Sequence, residues 1–69
     1  MPLQFPTIAE QVAQEFRESK RTISIATLAK KRGADVDRKW PKTIYTFDDD
    51  TQLIVEGRGK AHKFYTELP

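Results

Sequence analysis

The sequence has no cysteine, one histidine and one tryptophan in 69 residues. A chain this short buries only about 60% of the surface it exposes when unfolded. Small domains therefore often need disulfides, a metal, oligomerisation or very good packing. Disulfides are excluded here. A zinc site is not expected either, because His62 is the only soft ligand and one imidazole does not hold Zn²⁺. No cofactor is expected. No apolar run approaches the roughly 20 residues of a membrane span, so no membrane partner is expected. The segment Met1-Pro2-Leu3-Gln4-Phe5-Pro6 has neither the basic start nor the apolar run of a signal peptide. Pro2 stands where N-myristoylation needs glycine. The expectation is a complete small cytoplasmic protein, folded as one domain over residues 1–69.

Catalytic constellations are missing too. There is no Ser/His/Asp or Cys/His set, and a lone His62 is not a mechanism. No carboxylate pair falls on a predicted buried face. Gly57-Arg58-Gly59-Lys60 lacks the G-x-x-x-x-G-K-[ST] spacing of a phosphate loop and the helix that should follow it. Asp48-Asp49-Asp50 lacks the twelve-residue span, glycine and terminal glutamate of an EF-hand. These two segments read as hairpin turns. The expectation is a protein without enzymatic activity and without a small-molecule substrate.

What is present is globular: 38% hydrophobic and 32% charged residues. Residues 1–6 read as an extended arm. Thr7-Ile8-Ala9-Glu10 fits a capping box, and Ile8, Val12 and Phe16 follow at helical spacing, predicting a helix over 8–20. Ser24 as N-cap, then Ile25, Leu28 and Ala29, then Lys30-Lys31-Arg32 before Gly33, predict a short helix over 25–32. The strand-like alternation of Thr22-Ile23-Ser24-Ile25 competes with that reading. Residues 33–42 read mainly as loop, with Trp40 expected in the core, although its indole could instead stack on a base beside the basic segment. Three strands follow, over 43–47, 51–56 and 61–68, joined by short turns into an antiparallel meander. The fold class is α+β, with the helices packed on the sheet.

Register follows from the turns. Tyr45 should face Leu53 and Ile44 should face Ile54. In the second hairpin Val55 should face His62 and Leu53 should face Phe64. One sheet face then carries Tyr45, Phe47, Leu53, Val55 and Phe64, which is the expected core face. The other face carries Ile44, Ile54 and Tyr65. These three would be exposed together, and such a patch suits a protein partner or a homodimer.

Charge is uneven. Residues 17–42 carry nine basic residues against three acidic, a net +6, while residues 43–56 carry a net −4. The overall +2 is thus a cancellation. Arg17, Lys20, Arg21, Lys30, Lys31, Arg32, Arg58 and Lys60 are the candidate nucleic-acid contacts, since cations neutralise phosphate. Residues 25–42 can be laid on a helix-turn-helix, but Lys39 falls where that motif wants an aliphatic and Pro41 cuts the second helix short. Helices followed by a basic-tipped hairpin resemble winged helix domains in outline. The first expectation is a regulatory protein that binds nucleic acid through the basic segment and the 57–60 turn. The second is a protein-interaction module using Ile44, Ile54 and Tyr65.

Overall fold

The computed structural model describes residues 3–57 and 63–69. Two helices come first, α1 (Ile8–Glu18) and α2 (Ile25–Lys31), followed by four strands, β1 (Asp35–Lys39), β2 (Lys42–Thr46), β3 (Gln52–Glu56) and β4 (Lys63–Glu67). The strands form one antiparallel sheet in the order β1-β2-β3-β4. The chain is a small single-domain α+β protein.

Helix α1 starts where Thr7 accepts a hydrogen bond from the Glu10 amide at 3.3 Å. The rest of the cap comes from far along the chain. The amide of Ile8 donates to Asp49 Oδ2 at 2.9 Å, and that of Ala9 donates to Thr51 Oγ1 at 3.2 Å. The β2–β3 turn thus closes the helix N-terminus and satisfies donors that no helix can satisfy internally. Ala9, Val12, Ala13 and Phe16 are buried from α1, and Ile25, Leu28 and Ala29 from α2. They pack on Tyr45, Phe47 and Leu53, with Val55 and Phe64 at the margin. This is the expected core face. Phe16 meets Phe64 edge-to-face, with ring centres 5.4 Å apart.

Three expectations need correction. Residues 35–39 form a strand, not a loop, so the sheet has four strands and no second helix of a helix-turn-helix exists. Asp35-Val36-Asp37-Arg38-Lys39 is exposed along its whole length, which removes the alternating apolar signal of a strand. Trp40 is 72% exposed instead of buried. Lys39 pairs with Lys42, so Trp40-Pro41 is the two-residue turn between β1 and β2 and projects beyond the sheet. In the last hairpin Val55 pairs with Phe64 and Leu53 with Thr66. The register differs from expectation by two residues. An even shift keeps every side chain on its face, so Phe64 still reaches the core. Ile44 opposite Ile54 and Tyr45 opposite Leu53 are as expected. His62 lies outside the described residues.

Candidate functional site

The strand order gives the molecule two unlike ends. At one, the β2–β3 turn carries Asp48, Asp49 and Asp50 and seats the start of α1. At the other lie the Trp40-Pro41 turn, Gly57, Lys63 and the end of α1.

The end of α1 is built on a Schellman motif. The Lys20 amide donates to the Arg17 carbonyl at 3.0 Å, and the Arg21 amide donates to the Phe16 carbonyl at 3.1 Å. Lys20 and Arg21 are both left-handed, with φ of 55° and 62°. This region disfavours side chains with a Cβ, by about 1–2 kcal/mol per residue. The Arg21 guanidinium lies 5.6 Å from the Phe16 ring centre and 5.9 Å from that of Phe64. The Arg17 guanidinium lies 5.0 Å from the Phe64 ring centre. Both are within cation–π range.

Beside them opens a groove of about 750 Å³. Phe16, Ile25, Tyr45 and Val55 supply its apolar wall, Thr22, Ser24 and Thr43 its hydroxyls, and Lys20 and Arg21 its cations. A smaller hollow of about 220 Å³, lined by Arg38, Trp40, Pro41, Lys42 and Gly57, shares Thr43 with it. Arg38, Thr43, Val55 and Phe64 form one row across all four strands on the helix-facing side. The groove is therefore flanked by Arg38 on the first strand and by Arg17 and Arg21 over Phe64 on the fourth. Three strand spacings separate these flanks, about 14 Å. Burial raises the Tyr45 phenol above the ordinary tyrosine range, while the nearby Arg38 charge pulls it down. Arg38 pairs with Thr43, which lines the groove.

The predicted basic residues do not all come together. Lys20 and Arg21 line the groove, and Arg17 stands beyond them over Phe64, in a neighbouring hollow. Lys30, Lys31 and Arg32 end α2 next to β1 Asp35, which pairs with Thr46 at the opposite, acidic end. Arg32 also binds Glu15 at 2.9 Å. Arg58 and Lys60 lie outside the described residues. Arg38 was not among the expected contacts, and Trp40 was weighed as a base-stacking residue but assigned to the core. The signal available was Pro41, which biases Trp40 away from helix and marks a break between two strand-length runs.

The Ile44/Ile54/Tyr65 row exists as expected across β2, β3 and β4, but it is not an exposed patch. Ile54 is only 3% exposed, against 39% for Tyr65. Polar bridges run on either side of it: Gln52 donates to Thr46 at 3.2 Å, and Glu56 accepts from Tyr65 at 3.2 Å and pairs with Lys42 at 3.3 Å. The Glu56 carboxylate, with Tyr65 beside it, raises the Lys42 ammonium above the ordinary lysine range.

Among the described residues, no cluster of three or more His, Asp or Glu is placed to hold a metal ion, and no helix is long and apolar enough to cross a membrane. No protein-family model matches the chain, and neither a curated protein nor a solved structure gives a match.

Proposed function

We propose that this chain is a non-enzymatic binding protein that holds nucleic acid in the groove at its basic end. The observation that carries the reading is the grouping of Lys20, Arg21 and Arg38 around an apolar groove, beside an aromatic ring that is 72% exposed. Cations set on both flanks of a cleft neutralise backbone phosphates, and release of the displaced counterions drives association. Apolar walls between them take the uncharged parts of the same ligand.

The left-handed backbone at Lys20 and Arg21 supports this. Strained non-glycine conformations cluster where the surrounding structure needs a side chain at a set place. Here the side chains are the two rim cations.

A salt titration tests the proposal. Labelled single-stranded and duplex DNA and RNA are titrated with the protein at about 50 mM salt and upward. Measurable affinity that falls linearly on a log–log plot against salt is the expected result. Undetectable affinity for every form at the lowest salt overturns it.

The second reading is a protein-interaction module working through Tyr65 and Ile44. Tyr65 at 39% exposure favours it. It expects Tyr65→Ala to release a partner that Lys20→Ala leaves bound.

A further inference from the structure

Resting on that reading, we infer that the ligand is single-stranded, and that one of its bases stacks on Trp40. Among the described residues, neither helix offers what a duplex reader needs. A duplex is read by a helix or a two-stranded ribbon laid in a major groove about 12 Å wide. Helix α2 has seven residues and its cations stand at the acidic end. The solvent side of α1 mixes Gln14 and Glu18, which are hydrogen-bonded to each other at 3.1 Å, with Arg17. Neither helix presents a run of cations to a groove. Lys20, Arg21 and Arg38 stand instead beside a concavity between helix and sheet.

That concavity suits an unpaired strand. Binding of single strands combines a positive groove that follows the backbone with aromatic rings that take the bases, since every base has a π-face. Trp40 stands at the tip of the β1–β2 turn, and Arg38 lines the same hollow. From there the row Arg38-Thr43-Val55-Phe64 leads across the sheet to Arg17 and Arg21. A strand lying along this row meets cations at both ends and the Trp40 ring beside the first. Bases in a duplex are stacked on one another and offer no face to that ring.

Trp40 is the only tryptophan in the chain, so its fluorescence reports this contact directly. Wild-type protein is titrated with oligodeoxythymidine, with oligouridine and with a duplex of equal length, following Trp40 emission and, separately, the anisotropy of a label on the nucleic acid. One or both single strands should bind at least tenfold tighter than the duplex and quench Trp40 at saturation. Trp40→Ala should weaken single-strand binding about tenfold or more and leave duplex binding within twofold, and Trp40→Phe should recover part of the loss. A duplex that binds as tightly as the single strands, or saturating single strand that leaves Trp40 emission unchanged, overturns this inference while leaving nucleic-acid binding intact. No binding to any of the three overturns both.

Discussion

The two helices end in the same motif with different residues. Helix α2 closes on a Schellman motif in which the left-handed position is Gly33, with φ of 70°. Helix α1 closes on the same pair of hydrogen bonds, but Lys20 takes the left-handed position and Arg21 continues it. Glycine adopts this conformation without steric cost, and side chains do not. Local stability would favour glycine at both ends. At α2 the motif serves only to turn the chain into β1. At α1 it also aims two cations at the rim of the groove. On the proposed function, the end of α1 gives up some local stability to place those cations, while Arg21 recovers part of it over the Phe16 and Phe64 rings.

The largest way to test that contrast lies at the other end of α1, where the cap works purely for stability. Asp49→Ala removes the acceptor of the Ile8 amide and of the Thr51 amide. It should destabilise the fold by about 2 kcal/mol, lowering the melting temperature by roughly 10 °C without altering nucleic-acid binding once folded. Calorimetry and the titration above check both halves. Next, Gly33→Ala should lower stability by about 1 kcal/mol. A Cβ built on Gly33 meets nothing within 4 Å, so the whole cost is backbone conformation. Smaller and of opposite sign, Lys20→Gly should raise stability by about 0.5 kcal/mol, since relief of strain outweighs the added freedom of the unfolded chain. Urea denaturation at neutral pH resolves that sign.

The smallest effect is a pH dependence. Burial alone would raise the Asp49 carboxyl. The Ile8 amide and the hydroxyl and amide of Thr51 outweigh it and hold the group below the ordinary aspartate range. A depressed pKa in the folded state stabilises above the unfolded value, near 4, and the benefit fades as pH falls through the folded value. Melting temperatures between pH 6 and 2.5 should therefore fall more steeply for wild type than for Asp49→Asn.

Helices were legible because their signals are local: Thr7 and Ser24 as caps, Gly33 as terminator, apolar residues at three- and four-residue spacing. The core face was legible for a related reason. Its membership depends on the parity of the strand register, and the two-residue error in the last hairpin preserved parity. The length of the 57–62 connection decides the register itself, and glycine positions do not fix that length. Strand β1 was illegible because it is an exposed edge held by pairing with β2, so nothing apolar alternates in it. The Asp49–Ile8 cap was illegible because it joins residues 41 apart. At the candidate site Lys20 and Arg21 stood out as cations, but their left-handed backbone did not. Trp40 was assigned to the core on the general habit of tryptophan in small domains, and its place in a two-residue turn overrode that habit.

Lys20→Gly offers the most direct measurement, because it sets the strained conformation against the cation it presents. Wild type and variant are titrated with the same oligodeoxythymidine across a salt series, each with its stability measured in parallel. The variant should be more stable and bind severalfold weaker, with the log–log salt slope shallower by about 0.7, the share of one phosphate contact on a single strand. Equal affinity and an unchanged slope in a stabilised variant would contradict it.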